Sequence, residues 1–452
     1  MSSLGIDLAE FLDRCSWSTY QKWLLGLAAL AFAADGVANQ LIGIAMPAII
    51  GQWHVHREAL APVAAAGLVG VLIGSASGGV VGDRLGRRLG LIGSVALFAI
   101  MTAMTSLASN ITLLELVRFG AGLGIGGAIP SGAALITEIT PRRCRPIAIA
   151  IGMVFIPAGG LVSGLLGAAI LPALGWKALF LLAGGAMGLV ALLFALALPE
   201  SPSLLVRRTD GHAELLKFLH RCKHPVEPGW HFTQAAAAQG HGGWRGLFGP
   251  DTVRQTAGIW IGFFCCLLAS YTMFSWLPTM LSSHGFGVRQ SSLMSSVFNG
   301  GATCGGLVAG LVMQRFGARG PSVALAAAAA VGTLSLMAMP ISPNNPLPLA
   351  LMLGAIGLLI SGLHNGIYTL AALSYPPTMR ATGVGAAAAF GRLGAVASSY
   401  TGVITIGTGG QGATFFLCVG LALIVSGLGV AAVGRTAGAS FRQGLADPAA
   451  AE

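Results

Sequence analysis

Charge is what this sequence has least of. Lys, Arg, Asp and Glu together make up 9 % of its 452 residues, where soluble domains carry roughly 25 %. A chain this long cannot cover a water-facing body with so few charges. Carboxylates are scarcer still: Asp and Glu number 15, and none falls between residues 255 and 434. The seven cysteines (15, 144, 222, 265, 266, 304 and 418) show no paired spacing, which excludes a disulfide frame or a zinc site and leaves reduced packing residues. No cleavable leader is expected either. "MSSLGIDLAEFLDRCSWSTYQKW" carries Asp7, Glu10 and Asp13, unlike the basic start of a signal peptide. It reads as a cytoplasmic or interfacial segment, residues 1–21, followed by Lys22 and with Trp17, Tyr20 and Trp23 at headgroup depth. "GLGIGG" (Gly122 to Gly127) has no strand before it, so it marks close helix packing and excludes a dinucleotide. No serine has triad partners at arguable positions, so no enzyme and no cofactor are expected.

What is present is apolar length. Hydrophobic residues make up 55 % and the mean hydropathy is +0.79. A bilayer-spanning helix needs about 20 apolar residues. Twelve are predicted, at 22–50, 59–82, 89–108, 111–138, 145–173, 176–198, 255–284, 290–316, 319–341, 346–375, 380–406 and 412–434. The fold class is therefore an all-α integral membrane protein with the lipid bilayer as partner. With both termini inside, 20 of the 25 Lys and Arg fall on the cytoplasmic side, as the positive-inside rule requires. The net charge of +10 is then topology, and no nucleic-acid partner is needed.

Six spans (22–198) precede a long polar interruption (199–254) and six (255–434) follow it, with a tail at 435–452. Within the interruption, "AELLKFLHRC" has the pattern of a short amphipathic helix on the inner membrane face. The halves repeat. "GVVGDRLGRR" (Gly79 to Arg88) returns as "GLVMQRFGAR" (Gly310 to Arg319), and "PRRCR" (from Pro141) as "PPTMR" (from Pro376). A six-plus-six duplication is a known carrier architecture. Gly79, Asp83, Arg84, Gly86, Arg87 and Arg88 resemble the loop signature of the major facilitator superfamily, and "RFGAGLGIGGA" from Arg118 resembles its arginine-glycine helix. More narrowly, "DGVANQLIGIAMP", "PESPSLL", "FSWLPTML" and "YPPTMRATGVGAAAAFGRLGA" resemble the aromatic acid/proton symporter family. The resemblance implies two pseudo-symmetric six-helix halves, proton-coupled import of an aromatic carboxylate, and a monomer in a bacterial inner membrane. One position departs. The family's first helix reads Asp-Gly-x-Asp, and here Asp35 stands alone with Ala38 in the fourth place.

The candidate residues follow from cost. An ionised carboxylate at mid-bilayer costs about 2.5–3.5 kcal/mol on insertion scales and usually lines a pathway. Asp35 lies 12 residues after Trp23, about 18 Å deep, with Asn39 one turn on. A partly dehydrated Asp can exchange a proton near neutral pH. With no acid in 255–434, a carboxylate proton carrier must lie in the first half, and Asp35 is the candidate. Arg118 either shares that coupling role or pairs locally with Glu115, three residues away. Arg392 lies 12 residues past Arg380 in the half without acids, a natural anion site because its fork fits a carboxylate. Its alternatives are backbone carbonyls or snorkelling. Asn299, His364 and Tyr368 either contact substrate or bond between helices. Phe263, Phe264, Tyr271 and Trp276 are read as packed or lipid-facing. The cytoplasmic gate is assigned to Gly79, Asp83, Arg84, Gly86, Arg87, Arg88, Glu138, Arg315 and Arg319. The expectation is a proton-coupled importer of a small organic anion. A porter for another organic acid, a sugar or a drug, working in either direction, and a non-transporting membrane sensor remain the alternatives.

Overall fold

The computed structural model describes residues 5–208, 211–224, 230–233, 244–250, 252–376, 379–407 and 412–434; the tail from 435 lies outside them. Helices dominate, because in lipid each backbone N–H and C=O must find its partner inside its own segment. In chain order the elements are β1 (Gly5–Asp7), α1 (Leu8–Arg14), α2 (Thr19–Trp53), α3 (Ala61–Leu85), α4 (Arg87–Thr105), α5 (Ile111–Ile139), α6 (Arg145–Ala197), α7 (Pro202–Arg207) and α8 (His212–Arg221). There follow β2 (His231–Thr233), α9 (Val253–Ser283), α10 (Val288–Phe316), α11 (Arg319–Ser335), α12 (Leu347–Ser374), α13 (Arg380–Gly407) and α14 (Ala413–Ala432). Polar caps fix several starts. Ser18 and Gln21 bond reciprocally ahead of α2, at 2.8 and 3.2 Å, and the Asn110 carboxamide accepts from Leu113 N–H at 2.8 Å to open α5.

The 53 residues of α6 would extend about 80 Å as one rod, more than twice a hydrocarbon core of about 30 Å. They do not run straight. Gly175 turns to φ 73°, a conformation glycine adopts without a steric penalty, and divides α6 into two runs where the hydropathy pattern places a break. Among the described residues nine helices are long and apolar enough to cross a membrane, α6 counted once. Two further long helices complete the set: α11, of 17 residues, and α13, which carries Arg380 and Arg392 among Gly, Ser and Thr. Six long runs thus precede residue 199 and six follow residue 252 among the described residues.

Three details differ from the sequence expectations. α11 ends at Ser335, not 341. From Leu336 to Met339 each N–H bonds three residues back, a tightened 3₁₀-like ending, and Pro340 has no N–H to continue it. The chain also holds a two-stranded parallel sheet, Gly5 beside His231 through Asp7 beside Thr233. Finally, α8 forms where the amphipathic pattern predicts, but Leu215, Phe218 and Leu219 are buried against protein, with Phe218 6.2 Å from Tyr20.

The chain divides into two compact units, one of Met1–Asn39, Val69–Gly160 and Leu174–Ala238, the other of Gln40–Leu68, Leu161–Ala173 and Gln239–Glu452. In the first, α4 packs on α5, and the glycines of the "GLGIGG" stretch let helices touch. A Cβ on Gly126 would lie 2.2 Å from the Val71 carbonyl of α3, and one on Gly124 2.6 Å from Phe98 N of α4. Phe11 of α1 packs edge-on against Trp230 and tilted against Phe232. In the second unit α10 packs on α12, α9 on α13 and α14, and α11 on α12 and α14. Small residues replace apolar bulk at such crossings because lipid offers no hydrophobic drive between helices.

Candidate functional site

In the first unit the polar centre is built on α2. Asp35 is 1 % exposed. Asn39, one turn on, donates its amide to Asp35 Oδ1 at 2.8 Å and to the Asp35 carbonyl at 3.3 Å. The next residue, Gly36, has no room for a side chain: a Cβ would meet the Ile156 carbonyl of α6 at 1.9 Å. Gly159 is equally pressed on the Ala33 carbonyl, at 2.0 Å. This double glycine crossing fixes α2 against α6 beside the carboxylate. Arg118 enters from α5. It is 3 % exposed, and both terminal nitrogens donate to the Ala38 carbonyl at 3.4 Å. No described ion pair joins it to Glu115, so the local pairing considered for these two is not what the structure holds. The guanidinium instead rests on the backbone of the residue at which the symporter pattern would place a second Asp.

In the second unit a cation and a set of aromatic rings are carried on three helices. Arg392 of α13 is half-buried and lies within electrostatic range of His364 and Tyr368 of α12. The His364 and Tyr368 rings lie 5.2 Å apart. Phe263 of α9 stands edge-on to both, 4.7 Å from Tyr368 and 6.0 Å from His364. Gly391 permits that approach, since its Cβ would already lie 3.0 Å from Phe263. Trp260 stacks on Phe390 at 4.8 Å beside them. His364 Nε2 is enclosed without a hydrogen-bond partner, and Tyr368 is 37 % exposed. A guanidinium beside ring edges suits a ligand with an anionic end and an apolar, flat body. Asn299 of α10 is buried and gives its amide to Ser295 O of its own helix at 2.8 Å.

The residues assigned to a gate from the sequence fall in two places. Arg87 Nε lies 3.3 Å from Glu138 Oε1, and Glu138 Oε2 accepts a short bond from the Ser201 hydroxyl. Glu200 closes the same cluster, accepting from Arg88 N–H at 3.3 Å and from Ser201 N–H at 3.0 Å. Its carboxylate lies 2.9 Å from the position a Cβ on Gly86 (φ 103°) would take, so it meets the positive N-terminus of α4. Arg88 reaches the Ala195 carbonyl at 2.7 Å. Arg84 is exposed and Gly79 has no close neighbour. The Asp83 side chain lies outside the described residues. In the second unit Arg319 donates to the Ala431 carbonyl at the end of α14, and Arg315 lies 5.6 Å from the Phe316 ring centre.

Sequence reasoning missed Glu200 and Ser201, and read Phe263 as packed, which its burial matches, without its place between His364 and Tyr368. "PESP" carries a usable signal: Ser201 before Pro202 is a helix cap, which holds a neighbouring carboxylate in place. Phe263 carries none, because an aromatic in an apolar helix has no polar mark. Among the described residues no group of three His, Cys, Asp or Glu is placed to hold a metal. Burial pushes the Cys222 thiol up to about 11, which suits a packing residue.

Long apolar helices with ionisable side chains enclosed among them define a multi-pass membrane protein. The chain belongs to the major facilitator superfamily, whose model, described as Major Facilitator Superfamily, matches residues 28–399 and 259–449. It is a transporter and not an enzyme. It is 30 % identical to the gallate transporter of Pseudomonas putida over 95 % of each chain. It is 29 % identical to the 4-hydroxybenzoate transporter PcaK of Acinetobacter baylyi over 89 % of each. Among solved structures it resembles the xylose transporter XylE from E. coli in a partially occluded inward open conformation. The TM-score is 0.70 at 18 % identity, over 91 % of this chain and 97 % of that one, a likeness of fold.

Proposed function

We propose that this protein crosses the membrane twelve times and imports a small aromatic carboxylate together with protons, by alternating access between its 22–198 and 255–434 halves. The observation that carries the substrate class is the Arg392 cluster. It has a guanidinium within electrostatic range of His364 and Tyr368, whose rings pack with Phe263, in a half that contributes no carboxylate of its own. Relatives named for gallate and 4-hydroxybenzoate support the same class. Asp35 carries the proton, Asn39 orients its carboxylate, and Arg118 supplies the nearby positive charge. Asn299 borders the path. Arg87, Arg88, Glu138 and the other loop residues, Asp83 among them, with Arg315 and Arg319, form the cytoplasmic gate. Segments 1–21, 199–254 and 435–452 lie in the cytoplasm of a bacterial cell, and the protein works as a monomer in the inner membrane.

Calorimetry with a benzoate and its neutral amide tests the anion site. Charge-assisted bidentate bonds contribute about 1.5–3 kcal/mol, so wild type binds the acid at least tenfold more tightly, and Arg392→Gln loses that preference. Equal affinities in wild type, or full preference retained in the variant, place the anion elsewhere.

A further inference from the structure

The first unit holds a basic cavity that none of these groups uses. His220, Arg221, Lys223 and His224 line an open space of about 630 Å³ at the end of α8. Helix C-termini attract cations, but they offer only about half a negative charge. Arg221 and Lys223 alone bring two full positive charges, and no described ion pair involves either. The backbone ending is a second sign. Lys223 N–H bonds the His220 carbonyl at 2.9 Å and His224 N–H the Leu219 carbonyl at 3.0 Å, a wrapped cap that sets Lys223 at φ 58°. Glycine is the usual occupant there. A lysine held in that conformation invites a functional reading of its charge. His224 is 6 % exposed, with its Nε2 enclosed among protein atoms, and forms the floor of that space. Burial holds its pKa below the ordinary histidine value, so at neutral pH the charge of the space comes from its exposed neighbours.

The depth of the cavity points to the ligand. Arg221 Nη1 donates to Tyr20 Oη at 3.3 Å, and its guanidinium lies 5.9 Å from the Tyr20 ring centre. Tyr20 in turn stacks on Trp23 at 5.9 Å. Trp23 is 47 % exposed at the start of an apolar span, the level at which aromatic belts meet lipid headgroups. An arginine fork, a mobile ammonium and an imidazole together match the several oxygens of a phosphate better than the two of a carboxylate. We propose that His220, Arg221, Lys223 and His224 form a phosphate-binding site, filled by the headgroup of an anionic phospholipid.

Thermal unfolding of the purified full chain in neutral detergent, titrated with phosphatidylglycerol, phosphatidylcholine or inorganic phosphate, tests this. Phosphatidylglycerol raises the melting temperature of wild type, and phosphatidylcholine does so far less. Each charge removed weakens the phosphatidylglycerol response about fivefold, so the Arg221→Gln/Lys223→Gln double variant needs roughly 25-fold more lipid. Lys223→Gly guards against a folding defect. Glycine fits the left-handed position, so this variant melts higher without lipid and yet responds less to phosphatidylglycerol. If inorganic phosphate alone gives the full response and suppresses that of the lipid, the phosphate site stands and the lipid source is overturned. Wild-type sensitivity to phosphatidylglycerol in both variants, with no effect of inorganic phosphate, overturns the site.

Discussion

The role proposed for Asp35 turns the cost of a buried carboxylate into a use. Its carboxylate is enclosed, takes one bond from Asn39 on its own helix, and sits beside the tightest crossing of α2 and α6. In the proposed role this enclosed carboxylate is the group that takes up and releases the proton. The departure at Ala38 sharpens the point, because Arg118 spends both terminal nitrogens on the carbonyl there. Asp35 is then the single carboxylate on that stretch of α2 to titrate. Asp35→Asn should abolish accumulation against a gradient while preserving exchange of substrate across the membrane. Counterflow assays beside gradient-driven uptake read the two activities separately. Normal accumulation by a well-expressed variant would remove Asp35 from the coupling step.

The proposed gate belongs to the scale of elements. Helix α4 begins at a glycine with positive φ and receives the Glu200 carboxylate at its N-terminus, while Glu138 at the end of α5 takes Arg87. One cluster therefore ties the α3–α4 turn, the end of α5 and the exit from α6. A partly enclosed ion pair contributes on the order of 1 kcal/mol, which moves a two-state equilibrium about fivefold. Glu138→Gln should lower the uptake rate several-fold and leave substrate affinity within about twofold, since it shifts conformations and not the binding groups. Calorimetry paired with initial uptake rates checks this, and weakened binding at normal turnover would mean that the cluster belongs to the substrate site. Much of this scale was legible in the sequence. The break before Trp176 showed as a change of pattern around Gly175, and the loop signature located Arg87. The early end of α11 did not show, because "LSLMAMPI" is apolar and hydropathy is blind to the three-residue bonds that stop the helix. Neither did the pairing of β1 with β2, whose three-residue strands lie far apart in sequence.

At the scale of the whole molecule, the sparing use of charge is itself the plan. Deep cations and carboxylates are few, each sits where an apolar helix would otherwise be uniform, and residues 255–434 carry no acid at all. That asymmetry could be read without coordinates. What the sequence left open was company: His364, Tyr368 and Arg392 come from two helices, and Phe263 from a third. Helical periodicity relates residues within one helix and is silent about which helices adjoin. The central claim is that a proton gradient drives an aromatic carboxylate inward through this protein. Its most direct test is uptake of a labelled hydroxybenzoate into proteoliposomes with an acid exterior, with protein-free liposomes setting the passive entry of the weak acid. One proton per substrate makes each pH unit worth about 1.4 kcal/mol, so protein-dependent accumulation should rise by about tenfold per unit and vanish in Asp35→Asn. Accumulation no greater than in protein-free liposomes, or unchanged when the gradient is collapsed, would contradict the account.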